Sequence, residues 1–514
     1  MSPRILKVDD LRDLTSPDKI AKIFRQLGYN AAAEPIEVET LELSARSQEA
    51  IAQAFLIADQ DRGGLQVMLF ELEPNAWESA SMASTRMKAI ASQLGKRPSE
   101  FLLLATKDYN QLMLVNPRKS FDEKMTLRAS IRKLLIDRQN PTAYDLDRLE
   151  AIAVHGKSAL ALYKAHCDAF DVEKLTKRFY EQYKRLFERV LQVIQDYNPD
   201  PYFEDLDRLH QFAQRLLGRI MFLYFLQKKE FLAGDRQFLK TQYRVNQYKA
   251  DGTDYYAEIL EPLFFEMLNT PMDQRKIPLN PPWKGGLPTP PLGKGGRGDR
   301  IPYLNGGLFD RDYGEGVRDG AGKATPELIT LPNHIFDPGD SESILGFFNG
   351  YNFTIAENVA GDEDVAVDPE MLGKVFENML VAEERGKSGT FYTPRGIVQF
   401  MCGEVLARYL ADASGVSLET AQALVNYDPD ISDRDLHQLI SPQQVRGLKQ
   451  AIASLKVLDP AVGSGAFPLG MMQLILNVRQ AIARREGMTV QRGSLTISEW
   501  KREIILNVQR RLPR

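Results

Sequence analysis

A chain of 514 residues is too long for one hydrophobic core, so about two to four domains are expected. Hydrophobic residues make up 43% and charged residues 26%, as in soluble globular proteins, and no apolar run is long enough to cross a bilayer. The net charge of −4 excludes attraction of nucleic acid by the whole protein, while two distant cysteines, Cys167 and Cys402, exclude a disulfide framework and predict a reducing, cytoplasmic location.

Residues 1–135 alternate strand-like and helical segments, which predicts an α/β domain. The sequence DRGG at Asp61–Gly64 is typical of a hairpin turn, and Ala83–Gly95 predicts a helix that ends at its glycine. Apolar and β-forming residues predict five strands: Ile36–Leu43, Ala50–Asp59, Leu65–Glu73, Glu100–Lys107 and Asn110–Pro117.

The period becomes helical over residues 140–270, which predicts a helical domain. Leu216–Leu232 is apolar nearly all round and should be buried, whereas Asp171–Tyr197 is amphipathic. The apolar stripe of the latter consists of Leu175, Phe179, Tyr183, Leu186, Phe187, Val190 and Ile194. Residues 271–300 form a Pro/Gly-rich tract that predicts a flexible insertion, and 301–380 are expected to form a helical connector.

The segment VLDPAVGSGAF, Val457–Phe467, predicts a buried strand that runs into a glycine turn. A P-loop is excluded, because Phe467 and Pro468 stand where its Lys and Ser/Thr should be, and Pro468 also replaces the third glycine of a dinucleotide loop. Gly463 and Gly465 allow close approach of a ligand, and Asp459 at the strand end can accept a hydrogen bond from an amine. S-adenosylmethionine suits this arrangement; a plain strand-to-helix turn is the alternative.

The string LDPAVGSGAF closely resembles the first cofactor motif of amino-group DNA methyltransferases, (I/L)-D-P-x-x-G-S-G-x-F. Upstream, GTFYTPRGIVQFM (Gly389–Met401) resembles their companion motif, in the expected order and at roughly the expected spacing. The segments RIMFLYFLQKKEFL, YLNGGLFD and LGKVFENML resemble the helical region of type IIG restriction–modification enzymes, which methylate adenine at N6. The resemblance covers most of the chain beyond about residue 170.

This resemblance implies an α/β protein with a nuclease-like N-terminal domain, a helical middle and an incomplete Rossmann-like class I methyltransferase domain at 381–514. It implies S-adenosyl-L-methionine as cofactor and double-stranded DNA as partner. The implied cofactor residues are Asp459, Pro460, Gly463, Ser464 and Gly465, with Phe391, Tyr392, Thr393 and Pro394 closing over the ligand.

The catalytic (N/D)-P-P-(Y/F/W) loop of these enzymes normally follows the glycine turn, and no such loop follows it here. Asn280-Pro281-Pro282-Trp283 has the right letters but precedes the turn, and no strand leads into it, so we reject it as catalytic. We therefore assign no catalytic residue and expect a truncated or split enzyme that is inactive alone; in the split form, the C-terminal methyltransferase half is encoded separately. The alternative functions are a non-catalytic DNA-binding or scaffold half that requires such a partner, and a decayed remnant.

In the N-terminal domain, Glu71 and Glu73 at the end of a strand are candidates for a nuclease metal site, with Lys107 as a substitute lysine. Two exposed glutamates are the simpler interpretation, and five scattered histidines favour no metal, so we expect a nuclease-like or plain α/β domain without cleavage activity. Cations on Asp171–Tyr197 suggest phosphate contacts or, as we prefer, a solvated face with acid–base pairs such as Glu181 with Arg185. They are Lys174, Lys177, Arg178, Lys184, Arg185 and Arg189.

Overall fold

The computed structural model describes residues 4–121, 127–199, 201–246, 248–270, 301, 307–311, 329–354, 362–367, 371, 393, 395–427, 436–460, 465–488 and 499–500. The predicted insertion at 271–300, with its NPPW sequence, lies outside these residues. Within the described part of the chain, no helix is both long enough and apolar enough to cross a membrane. The domain boundaries given above stay predictions.

A mixed sheet of seven strands, in the order β1 to β7, organises the N-terminal half. The strands are β1 (Ala31–Ile36), β2 (Ile51–Gln60), β3 (Leu65–Leu72), β4 (Glu100–Thr106), β5 (Gln111–Phe121), β6 (Leu127–Asp137) and β7 (Asp362–Asp364). Neighbouring strands are antiparallel except for β3–β4 and β6–β7, which are parallel. A parallel pair needs a crossover connection, and the helix between β3 and β4 provides it.

Eight helices and helical turns are described before residue 170 and pack around this sheet. They are α1 (Val8–Arg12), α2 (Pro17–Gln26), α3 (Ala45–Gln48), α4 (Ala80–Leu94), α5 (Ala143–Ala151) and α6 (Ala159–Ala169), with 3₁₀ turns at Val38–Leu41 and Pro74–Ala76. Ser79 caps α4 by accepting a hydrogen bond from the Met82 N–H, and Gly95 follows its last turn, as the sequence predicts.

The strand predictions are confirmed at β2, β3, β4 and β5 and are wrong at Ile36–Leu43. That segment forms the end of β1 and a 3₁₀ turn instead, since β1 occupies the sheet edge and pairs only with β2 among the described strands. Pro35 lacks an N–H group and is tolerated at such an edge. The predicted turn at Asp61–Gly64 is confirmed, with positive φ angles at Asp61, Arg62 and Gly63.

The two faces of the sheet contact different hydrophobic cores. Along β4, Leu102 and Leu104 pack into one core, while Phe101 and Leu103 pack into the other. The first core continues into the helical region, and α4 covers the second. A strand that is buried on both faces has apolar residues at consecutive positions of its sequence, as β4 does.

The short strand β7 is joined to the sheet by a buried ion pair. The Lys133 ammonium of β6 lies 3.4 Å from a carboxylate oxygen of Asp364 and donates a 2.9 Å hydrogen bond to the Ser84 hydroxyl of α4. Thr354 donates a second hydrogen bond, of 2.7 Å, to Asp364. Removal of either charged partner would leave an uncompensated buried charge, so this pair specifies where the returning chain docks.

The middle of the chain is helical, and its elements share the first core with the sheet. They are α7 (Val172–Tyr197), α8 (Pro201–Glu204), α9 (Leu206–Lys228), α10 (Phe238–Val245), π-helical turns at Tyr256–Leu260 and Leu263–Leu268, 3₁₀ turns at Gly307–Phe309 and Asn333–Phe336, and α11 (Ile344–Asn349). All seven residues of the apolar stripe predicted for α7 are buried. The Asp171 side chain caps this helix by accepting hydrogen bonds from Glu173 and Lys174 N–H groups.

The last described helices form a cluster with its own core. They are α12 (Arg395–Ser414), α13 (Leu418–Val425), α14 (Leu436–Leu439), α15 (Pro442–Ser454) and α16 (Ala466–Arg485). The buried side of α12 carries Val398, Cys402, Leu406 and Leu410, spaced by four residues, and packs against α13, α15 and α16.

A buried histidine makes the stability of the N-terminal half depend on pH. His166 of α6 is fully buried, its Nε2 lies 2.7 Å from the Tyr29 hydroxyl, and burial, then the charge of Lys157, lowers its pKa to about 3. In the unfolded chain histidine titrates near ~6.5. The unfolded state therefore binds more protons between these values, so stability is complete above this window and is lost as the pH falls through it.

We expect His166→Gln to remove this dependence. Below pH 6.5 the free energy of unfolding of the wild type should fall by up to ~1.4 kcal/mol per pH unit more than that of the variant, as measured by urea denaturation. His210→Gln, at an exposed histidine of α9, serves as control and should retain the wild-type slope. Equal slopes for His166→Gln and wild type would contradict the assignment.

Candidate functional site

Gly465 ends the glycine turn in a conformation that requires glycine. Its φ is +82°, in the left-handed region, and α16 begins at the next residue. Among the described residues, a Cβ at this position would meet only Leu469 Cδ1, at 3.9 Å. No described side chain caps α16, and Ala466 and Phe467 of its first turn carry N–H groups that could bind an acceptor, whereas Pro468 has none.

The helices that follow the two predicted motifs pack directly on each other. A Cβ on Gly470 of α16 would lie 2.8 Å from Val398 Cγ1 of α12, so the two backbones approach as closely as a glycine allows. Cys402 of α12 also donates a 3.7 Å hydrogen bond from Sγ to the Phe467 carbonyl oxygen. The structure thus brings the start of α12, directly after Thr393, and the glycine turn into one helical cluster.

Asp459 lies against α12. It is half-buried, and its negative charge, after burial, contributes to raising the pKa of the Cys402 thiol above its usual value. Pro460, the next residue, is exposed. A carboxylate at the edge of a turn whose helix offers N–H groups can hold a ligand with both a cationic amine and acceptor atoms.

The structure describes four of the nine predicted cofactor residues. Asp459, Pro460 and Gly465 border the turn, and half-buried Thr393 precedes α12. Phe391, Tyr392, Pro394, Gly463 and Ser464 lie outside the described residues, and their roles stay predictions.

The predicted buried strand at Val457–Asp459 is wrong. These residues have no strand pairing, and the exposed fractions of Val457 and Leu458 are 44% and 85%. A strand forms only beside a hydrogen-bonded neighbour, and every described strand belongs to the N-terminal sheet. The apolar pattern of Val457–Asp459 is thus typical of a strand, but the described residues provide no neighbouring strand with which it could pair.

The sequence interpretation did not anticipate that α12 is apolar on two sides. Opposite its buried stripe, Ile397, Phe400, Met401 and Val405 are exposed by 50%, 69%, 48% and 62%. Their i, i+3, i+4, i+8 spacing is itself visible in the sequence and is the signal that could have found them. A helix that is apolar all round is normally buried, so this face is suited to being covered.

The carboxyl ends of the parallel strands β3 and β4 bring Glu71 and Lys107 to the same sheet edge. Glu71 accepts a hydrogen bond from the Tyr109 hydroxyl, whose pKa is raised by burial and by this carboxylate. The Lys107 ammonium donates instead to the Trp77 carbonyl oxygen, at 3.5 Å. Glu71 is therefore half-buried and bonded, rather than simply exposed as the simpler sequence interpretation had it.

Among the described residues, no three His, Cys, Asp or Glu side chains come close enough to hold a metal ion. Glu73, the other candidate ligand, is half-buried just beyond the end of β3. The geometry around Glu71 accordingly supplies no argument for cleavage chemistry.

The cations of α7 are largely paired with acids. Lys174 lies 2.7 Å from Asp168, and Arg178 lies 2.9 Å from Asp147. Lys184 pairs with Glu188 at 4.0 Å, and Arg189 reaches both Asp340 and Glu342. This favours the paired, solvated face over phosphate contacts for this helix, although the partners differ from the Glu181–Arg185 pair of the sequence interpretation.

Among curated proteins, the chain is similar to one from Methanocaldococcus jannaschii described as "Putative type II restriction enzyme and methyltransferase". The two are 27% identical over 353 residues, which cover 64% of this chain and 26% of that protein. The chain thus spans about a quarter of the length of this relative. No family model matches the chain, and no solved structure matches it either. The similarity supports a relation to restriction–modification methyltransferases.

The close approach of α12 and α16 can be tested at Gly470. We expect Gly470→Ala to destabilise the C-terminal cluster by about 1–3 kcal/mol, because the new Cβ would overlap the stiff Val398 side chain. In the double variant with Val398→Ala the overlap disappears, so the two effects should couple by at least about 0.5 kcal/mol, as measured by a thermal-denaturation double-mutant cycle. Gly403→Ala, also in α12, is the control: its Cβ would meet Val425 at an ordinary 3.8 Å, and no loss is expected. Additive effects would argue against direct packing.

Proposed function

We propose that this chain carries the cofactor-binding part of an S-adenosylmethionine-dependent DNA methyltransferase of a restriction–modification system. The observation that carries the proposal is the direct packing of α12 on α16. Helix α12 begins within the companion motif at Gly389–Met401, and α16 begins within the glycine-turn motif at Val457–Phe467. Two sequence motifs whose residues Thr393 and Asp459 are 66 positions apart, but whose helices belong to one packed cluster, are far more specific than either motif alone. The similarity to the archaeal restriction and methyltransferase protein supports the same function.

The described residues around the turn fit such a cofactor. The Asp459 carboxylate would accept a hydrogen bond from the amine of the methionine part, and the α16 N–H groups would bind acceptor oxygens. Gly465 would keep the backbone free of a Cβ on the ligand side. When bound, the cofactor supplies an electrophilic methyl group, and the residues of this chain bind and orient it.

The finer assignment is methylation of the adenine N6 amine in duplex DNA by a type IIG-like enzyme. It rests on the motif order and on the resemblance of the helical middle region. A base in a duplex must be flipped out of the stack to reach a methyltransferase site. An acceptor loop beside the cofactor would have to grip it, and we propose that further polypeptide supplies that loop, since Asn280–Trp283 lacks the sequence context of one.

A second candidate is a non-catalytic DNA-binding half that requires a separately encoded partner. The exposed apolar face of α12, with the exposed side chains of Val457 and Leu458, favours it. Parallel strands of an α/β domain would cover that face and pair with that segment. Binding of a partner with no cofactor affinity in either piece would distinguish this candidate from the first.

The cofactor site predicts a specific effect of Asp459. We expect the wild type to bind S-adenosylmethionine in calorimetric titration and Asp459→Asn to bind it about 10–100-fold more weakly, since a hydrogen bond to a charged group contributes about 1.5–3 kcal/mol. Asp412→Asn, at an exposed aspartate of α12, is the control and should bind like the wild type. Equal affinities for wild type and Asp459→Asn, or no binding by the wild type, would overturn the site.

A second experiment tests the need for a separate acceptor loop. We expect residues 1–514 alone to transfer no labelled methyl group to mixed-sequence DNA, because no acceptor loop is assigned to them. Addition of a polypeptide that carries a strand followed by (N/D)PP(Y/F) should restore transfer. Clear incorporation by the chain alone would show that the NPPW sequence or another segment is catalytic.

A further inference from the structure

Cations from three elements meet where the sheet adjoins the helical region. Arg138, directly after β6, donates a 3.1 Å hydrogen bond to the Arg12 carbonyl oxygen at the end of α1. Lys240 and Arg244 lie on α10, and Lys240 is near Arg12: after burial, the charges of Arg244 and then Arg12 lower the pKa of Lys240. Gln237, one turn before Lys240, bonds Asn140 of the turn that follows β6, which holds α10 against this edge. We call Arg12, Arg138, Lys240 and Arg244 the seam cluster.

Little of this charge is neutralised. The three acceptors of the Arg138 guanidinium are neutral oxygens, those of Arg12, Tyr109 and the Asn110 side chain. Within the described ranges, neither Lys240 nor Arg244 makes an ion pair. Arg12 pairs with Asp9 at 3.0 Å, but both side chains are exposed, so water and salt screen the pair.

The cluster costs stability in the absence of a ligand. Like charges four residues apart on a helix, as Lys240 and Arg244 are, destabilise it, and partial burial of Lys240 adds to the cost. The cations of α7, by contrast, are compensated by acids on neighbouring elements. A polyanion that binds at this edge would offset the repulsion between Lys240 and Arg244.

The surface beside the cluster fits an extended ligand. A cleft of about 300 Å³ adjoins it through Asn110, whose side chain also bonds Arg138. Its lining includes Lys107 and Arg236 and two acids, Asp108 and Asp137, of which Asp137 pairs with Arg236 at 3.3 Å. Lys240 and Arg244 are about 6 Å apart along the helix axis, a distance that covers roughly two phosphates of one DNA strand. Cations spread over several elements, with amides beside them, suit a sugar–phosphate backbone better than a single small anion.

We propose that the seam cluster binds the phosphate backbone of duplex DNA. The proposal rests on the proposed function, in which DNA is the substrate. It adds the place at which the N-terminal half contacts the DNA. Such contacts fix the position of the protein on the duplex and carry no sequence information.

The test is the salt dependence of DNA binding. Binding of a short mixed-sequence duplex is measured by fluorescence anisotropy over a series of KCl concentrations, for wild type, Arg244→Gln and Lys240→Gln/Arg244→Gln. The slope of log K against log[salt] should become shallower by about 0.9 for the single and about 1.8 for the double variant, because each phosphate contact releases counterions. Lys174→Gln/Lys184→Gln on α7, where the cations are already paired, is the matched control and should keep the wild-type slope.

An unchanged slope in the double variant overturns the proposal, as does an equal change in the α7 control or a wild type that binds no DNA. Circular dichroism of each variant shows whether it is folded, and Arg244, being exposed, is safe to replace. Cofactor titration of the same samples separates the two claims. Cofactor binding with an unchanged slope overturns the seam cluster alone, whereas a changed slope without cofactor binding overturns the methyltransferase proposal alone.

Discussion

Burial of the central sheet on both faces is the constraint on which the N-terminal half depends. Successive residues of β4 enter different cores, so a shift of one residue would exchange every side chain between the two. One of these cores continues through α7 and α9, so the sheet and the helical region share a single apolar interior. Because of that continuity, α10 is held against the β6 edge, and the cations of α1, β6 and α10 keep a defined arrangement.

The C-terminal cluster is packed differently from the N-terminal half. Its core is built by helices alone among the described residues, and α16 approaches α12 closely at Gly470, where a Cβ would lie 2.8 Å from Val398. That approach places the start of α12 near the glycine turn, while the outer face of α12, Val457 and Leu458 are exposed. The same helix therefore orders a ligand site on one side and presents an apolar surface on the other.

The two halves offer different chemistry to the ligands proposed for them. The seam cluster offers positive charge, which suits a polyanion without regard to its sequence. The glycine turn offers backbone N–H groups and one carboxylate, which suit a small zwitterionic ligand.

The sequence by itself determined the local features: the α7 stripe, the strands β2 to β5, the Asp61–Gly64 turn and the glycine at position 465. Each follows from periodicity or from backbone restrictions that act over a few residues. Tertiary structure alone decided that Ile36–Leu43 leaves the sheet edge, that Val457–Asp459 joins no described strand, and which cations are neutralised. Strand pairing and ion pairing need partners that are distant in sequence. The same local sequence pattern can therefore form a strand or an ion pair in one fold and not in another, depending on which residues lie beside it.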